Sequence, residues 1–211
     1  MKHFSTKKGR FYPAPDGNNY PSVSTVLGII SAPELMYWYG AKGTKEANRI
    51  KNEAGDIGGT AHKYINKFAY GFKISEEEWS TLDDRVKNAL KAYIRWQKSS
   101  NFNPIYTEYT IYSDSGYAGT LDAIGYSDDK IILVDYKTSN SYHKSNELQI
   151  AAYWKAFMEM NPNIVIEEGR CIMLDKISGV PEIHVLNTEQ LEIAYHSFLS
   201  ALDLWRYING E

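Results

Sequence analysis

The chain has 211 residues, 43% of them hydrophobic and 23% charged, and its 23 basic and 26 acidic residues leave a net charge of -3. This composition fits one globular domain with at most a small appendage, burying about 70% of the surface its unfolded chain exposes, and it excludes a polybasic protein that meets nucleic acid through bulk charge. The single cysteine, Cys171, excludes an internal disulfide and a cysteine-held iron–sulfur cluster, and no apolar run approaches the roughly 18 residues of a membrane span.

Residues 1–31 mix turn formers (Pro13, Pro15, Asp16, Gly17) with a short apolar run and read as an arm leading into a domain of residues 32–211. The first twelve residues lack a signal-peptide core, so the expected compartment is the cytoplasm. Pro33 and Glu34 open a broken helical pattern that runs to Ala54. Residues 1–51 hold eight basic residues against three acidic, a local patch that suits either a polyanion or a solvated face.

The Gly58-Gly59 pair predicts a helix over 60–70, and Ser75-Glu76-Glu77-Glu78 is a capping-box pattern opening the next. Its apolar face reads Trp79, Leu82, Val86, Leu90 and Tyr93, spaced three and four apart. Beyond Pro104 the period changes. Residues 105–139 are rich in Tyr, Ile, Thr and Val, broken by turns at Ser113-Asp114-Ser115-Gly116 and Ser127-Asp128-Asp129, which predicts a three-stranded meander. A helix follows over 146–160, then strands over 164–174 and 182–186, then a helix capped by Thr188 with Leu191, Tyr195, Phe198, Leu202 and Trp205 on one face. The expected fold class is α/β in the α+β sense, a mixed central β-sheet flanked by α-helices.

Chemistry concentrates in Gly119-Thr120-Leu121-Asp122 and, thirteen residues after Asp122, in Asp135-Tyr136-Lys137-Thr138-Ser139. With a turn centred near Asp128, position 122 pairs with about position 134, so Asp122 and Asp135 converge from neighbouring strands. Paired carboxylates hold hard divalent cations such as Mg²⁺ or Mn²⁺. Lys137, two residues after Asp135, points to the same side of its strand and can orient or deprotonate a water or offset phosphate charge. An acid-any-lysine triplet alone says little, since about two occur by chance in such a chain. Asp128-Asp129-Lys130 is one, lying in a turn, whereas Asp135 ends the buried run Ile131-Ile132-Leu133-Val134 and needs a partner there. A structural Asp–Lys pair is the plain alternative. His62 could add an imidazole from a helix, Glu108 a further carboxylate from a strand, and Gln149 and Tyr153, four apart, an amide and a phenol from one helical face.

In their order along the chain, His62, Glu108, Gly119-Thr120-Leu121-Asp122, Asp135-Tyr136-Lys137 and Gln149 to Tyr153 resemble the RecB-like branch of the PD-(D/E)XK nucleases. Tyr20-Pro21-Ser22-Val23-Ser24-Thr25-Val26-Leu27 with Glu46-Ala47-Asn48-Arg49-Ile50 is similar to the subgroup of phage exonucleases and the mitochondrial genome maintenance exonuclease. The resemblance implies a restriction-endonuclease-like core and Mg²⁺- or Mn²⁺-dependent hydrolysis of DNA with one or two ions. His62, Asp122, Asp135 and the Tyr136 carbonyl would be the metal ligands, Lys137 the catalytic lysine, and Glu108 a helper for a second metal or its water. Gln149 and Tyr153, with Ser22, Ser24 and Thr25 of the arm, would contact the strand. Gly58 stands where many relatives carry arginine, and Ser24 where threonine is common.

The expected activity is therefore a DNA exonuclease working on single strands or free ends in recombination, repair or replication, in the host cytoplasm if phage-encoded. The chain has no glycine-rich nucleotide loop, so unwinding would fall to a helicase or recombination partner. The rivals are a structure-specific or restriction-like endonuclease, a non-catalytic nucleic-acid-binding module of the same fold, and a metal-binding structural protein.

Overall fold

The computed structural model describes residues 3–30 and 33–210. The arm-to-domain boundary expected at Ser31 and Ala32 lies outside the described residues, as do Met1, Lys2 and Glu211. In chain order the elements are β1 (Phe4–Thr6), β2 (Gly9–Pro13), β3 (Asn19–Pro21), α1 (Val23–Leu27), α2 (Pro33–Lys42), α3 (Thr44–Ala69), α4 (Glu76–Thr81) and α5 (Asp84–Ser99). Then come β4 (Asn103–Ser113), β5 (Tyr117–Ser127), β6 (Lys130–Lys137), α6 (Lys144–Met160), β7 (Glu168–Leu174), β8 (Pro181–Asn187) and α7 (Thr188–Asn209).

The meander β4-β5-β6 forms as expected and continues into β7 and β8 as one five-stranded sheet, antiparallel except for the β6–β7 pair. That parallel pair needs a crossover, and α6 supplies it. β6 is buried on both faces because alternate side chains enter different cores. Ile132, Val134 and Tyr136 pack with α3 and α5, whereas Leu133 packs with α6 and α7. The α+β class follows from this arrangement, a mixed sheet with helices on both faces.

Four local expectations are corrected. The helix expected over 60–70 begins sixteen residues earlier, at Thr44, and runs through Gly55, Gly58 and Gly59 without a break. Gly58 serves close approach rather than termination, since a Cβ there would sit 3.0 Å from Thr138 Oγ1, whereas Gly55 and Gly59 face open space. The single helix expected after Ser75 is two: Ser75 caps α4, but Leu82 turns extended and Asp83 accepts the Arg85 N–H at 2.8 Å to start α5. The strand expected from residue 164 begins at Glu168. Asn187, not Thr188, caps α7, in a reciprocal capping box with Gln190.

The arm is a small three-stranded antiparallel sheet closed by α1. Phe11 carries its ring to 6.0 Å from that of Trp205 on α7, and the Tyr12 hydroxyl lies 3.1 Å from Thr120 Oγ1. The arm is thereby fixed beside β5, next to Asp122. Cys171 is a buried residue of β7, beside Asp135 on β6, where burial and then the Asp135 charge push its thiol up to about 12. No helix among the described residues is long and apolar enough to cross a membrane.

Candidate metal centre and cleft

The site arises where β5 and β6 part. Their ladder ends at Ala123↔Val134, within one residue of the expected register, although both strands continue beyond it. Past that point Asp122 Oδ2 accepts the Tyr136 main-chain N–H at 2.7 Å, so a side chain takes a donor the ladder no longer serves. The gap opens into a cleft of about 600 Å³ lined by His62, Glu108, Asp122, Asp135, Lys137, Gln149 and Tyr153. The structure thus brings the principal sequence-predicted residues of five elements into one place.

Within the cleft, His62, Glu108 and Asp122 each place one ligand atom within 4.8 Å of the others. His62 comes from α3, whose Ala61 and Ile65 are buried and turn the imidazole toward the sheet. Glu108 stands opposite Asp122 on β4 with φ of 48°, a left-handed backbone in the middle of a strand. Such a conformation costs on the order of 1–3 kcal/mol and collects at functional sites. The structure groups Glu108, rather than Asp135, with His62 and Asp122.

The donor set fits a divalent cation: two carboxylate oxygens of the kind that hold Mg²⁺ or Mn²⁺ and one imidazole nitrogen that favours a transition ion, close enough together to share a single ion. The electrostatics point the same way. His62 Nδ1 lies 3.2 Å from Asp122 Oδ1, and the Asp122 charge pushes the imidazole up to about 9 even though burial opposes it. The imidazolium proton supplies positive charge that the carboxylates demand. Burial works against the Asp122 charge, yet His62 and Lys137 hold its carboxyl below the usual carboxylate range.

Asp135 forms a second, adjoining group. It is 1% exposed, its Oδ2 lies 2.8 Å from Lys137 Nζ in an ion-pair contact, and its Oδ1 accepts from Gln149 Nε2 at 3.2 Å. Burial pushes the Asp135 carboxyl up, Lys137 opposes this, and the nearby Asp122 charge adds to it. Lys137 is partly buried, which disfavours its charge, but Asp135 and Asp122 together hold it above the ordinary lysine value. It is therefore an ammonium at neutral pH. Gln149 Oε1 accepts from Lys137 Nζ at 3.0 Å while its Nε2 also donates to the Tyr153 hydroxyl at 3.0 Å. Gln149, expected to face the substrate, has its amide engaged with three site residues. Tyr153 is 6% exposed and occupies the space left by Gly119, where a Cβ would come within 2.6 Å of its ring.

Of the arm residues, Ser24 lines the cleft. Ser22 is buried as the cap of α1, accepting the Thr25 N–H at 3.0 Å. The Thr25 hydroxyl clasps Arg10, accepting from its N–H at 2.8 Å and donating to its carbonyl at 3.1 Å. Ser22 and Thr25 therefore hold the arm that brings Ser24 to the cleft. Sequence reasoning met Arg10 only as one of the basic residues of the N-terminal patch, and it missed Lys176, which lines the cleft with Arg10, and Asn66, which lines a small adjoining cavity. Asn66 carried a local signal in its spacing, one helical turn from His62, and Lys176 carried none.

No family model matches this chain, and no curated protein matches it. Among solved structures, the protein of the "Crystal structure of SSO0001" is similar at 12% identity and a TM-score of 0.36, over 84% of this chain and 81% of that chain. A likeness of that degree carries no argument here.

Proposed function

We propose that this chain is a metal-dependent DNA exonuclease that hydrolyses phosphodiester bonds, acting on single strands or free ends. The observation that carries the reading is the adjacency, in one open cleft, of the His62–Glu108–Asp122 donor cluster and a buried Asp135 paired with a charged Lys137. A structural ion pair explains Asp135 and Lys137 alone but leaves the donor cluster and the strained Glu108 backbone without a purpose. The ordered resemblance of these residues to RecB-like nucleases gives the pair its chemistry.

A Mg²⁺ or Mn²⁺ ion held by His62, Glu108 and Asp122 would supply Lewis-acid charge at the scissile phosphate and a more acidic bound water. The chain's own residues do the rest. Lys137, kept protonated by its carboxylates, donates to a phosphate oxygen and offsets the charge that builds there, so it serves as a charge donor rather than a base. Asp135 and Gln149 fix the direction of its ammonium. Arg10 and Lys176 line the same cleft and offer further cations to the strand.

The test is cleavage of end-labelled linear and covalently closed circular single-stranded DNA with Mg²⁺, with Mn²⁺ and with chelator, alongside Lys137→Ala. Loss of the linear strand alone, dependent on metal and on Lys137, is expected. Cutting of the circle would make the protein an endonuclease, and binding without cleavage a non-catalytic module.

A further inference from the structure

Beside the cleft lies a second space, smaller and more enclosed, that shares His62, Glu108, Asp122 and Tyr136 with it and adds Asn66 and Thr107. It admits the centre of a water-sized sphere over about 10 Å³, room for about one water molecule. Asn66 lies four residues after His62 on α3, so the two side chains project from one face. Its Oδ1 is buried and has no hydrogen-bond donor. A buried carbonyl oxygen without a donor is uncommon enough to require an explanation, and water is the usual one.

We propose that Asn66 is a positioning residue for the cation site, acting through a single water in this cavity. The polar lining there is rich in acceptors: the Asn66 carbonyl and the carboxylates of Glu108 and Asp122. A water among them donates one hydrogen to Asn66 Oδ1 and the other to a carboxylate. Its lone pairs then turn toward the positive charge that His62, Glu108 and Asp122 surround. Asn66 would thus fill the rear of the cation's environment, where no charged residue lines the cavity beyond the three donors. An amide suits this place better than a carboxylate, since it orients the water without adding a third negative charge to the pocket.

The inference rests on the cation-site reading above, and Mn²⁺ binding tested without DNA separates the two. Titration calorimetry with Mn²⁺ is run on the wild type, His62→Ala, Asn66→Ala and Asn66→Leu, each first melted in chelator. Both Asn66 variants are expected to bind Mn²⁺ about tenfold more weakly, as for other residues that orient a metal site from behind. Their chelated melting temperatures should stay close to the wild type's, because the carbonyl removed accepts from no protein donor and its water returns to solvent. Proton relaxation of the Mn²⁺-loaded protein should report one fewer slowly exchanging water in Asn66→Leu, whose side chain fills the cavity. Wild-type Mn²⁺ affinity in both variants would overturn the role of Asn66 while leaving the site intact. Failure of the wild type itself to bind, or indifference to His62→Ala, would instead remove the cation site.

Discussion

The Gln149 side-chain carbonyl accepts a hydrogen bond from Lys137 Nζ at 3.0 Å, and its amide nitrogen reaches Asp135 Oδ1 at 3.2 Å. One residue on α6 therefore spans both halves of an ion pair on β6 and fixes how they face the cleft. The alternation of side chains along β6 makes this meeting necessary. Asp135 and Lys137 project from β6 on the side that α6 covers, as Leu133 does, so the first turns of the crossover helix must supply their polar partners.

This geometry gives Gln149→Ala a distinct kinetic signature. Cleavage should fall about 10- to 100-fold, as when residues orienting a reactive site are removed, with the loss in kcat and little change in KM. A residue whose amide binds the DNA strand would instead raise KM and spare kcat. Steady-state rates on a short labelled single strand distinguish the two, and a selective rise in KM would return Gln149 to the substrate-binding role its sequence position suggests.

Stability without metal should depend on pH through His62. Its folded value, about 9, lies above the ordinary 6.5, so the His62–Asp122 interaction contributes fully below about pH 6.5 and is lost as pH rises through about 9. Melting temperatures in chelator should fall across that interval, and His62→Gln should flatten the fall. Mn²⁺ must displace the same proton, so its apparent affinity should rise with pH over the same range. A wild-type melting temperature that stays level from pH 6.5 to 9 would dispose of the charged pair.

Gly119→Ala tests why the glycine of the Gly119-Thr120-Leu121-Asp122 motif is there. The added methyl would meet Tyr153 Cε1 at 2.6 Å, and that ring is buried and tied by its hydroxyl to Gln149. Overpacking of this kind costs about 1–3 kcal/mol, read as a lowered urea midpoint. The cost should shrink in the Tyr153→Ala background, where the space is free. Equal costs in both backgrounds would mean that the ring is not the obstacle.

The parts of this fold that were legible in the sequence are those where local pattern and tertiary need agree. Ile131 to Val134 reads as a buried strand and is one, packed on both faces in the structure, and the Asp128-Asp129 turn places Asp122 beside Asp135 to within one residue. Glu108 is offered by the sequence as a further carboxylate of the cluster, but its grouping with His62 and Asp122 in place of Asp135 goes with a left-handed backbone that no spacing encodes. The Gly58-Gly59 pair of α3 looks like a helix breaker because the neighbour that Gly58 makes room for, Thr138 of the β6–α6 connection, lies far away in the sequence. Likewise the arm's strands, three to five residues long, show no period of their own. They are held by contacts such as Phe11 with Trp205, from opposite ends of the chain.

Those contacts decide how the basic N-terminal region should be tested. Deleting residues 1–10 would remove all of β1 and part of β2, including Phe4, whose ring stacks 5.9 Å from that of Phe11, so a loss of binding would be confounded with loss of the arm. Charge substitution avoids this. Arg10→Gln and Lys176→Gln alter cations that line the cleft, whereas Lys98→Gln alters an exposed lysine of α5 outside it. If the cleft carries the strand, each of the first two should reduce the slope of log affinity against log salt by about 0.7 for single-stranded DNA, and the third should leave it unchanged. The double variant should lose about twice the single increment, because each cation releases its own counterion. Fluorescence anisotropy with a labelled oligonucleotide between 50 and 200 mM salt, about the range over which such slopes are read, measures the wild type and all four variants. Equal slopes for all of them would place the strand elsewhere than in this cleft.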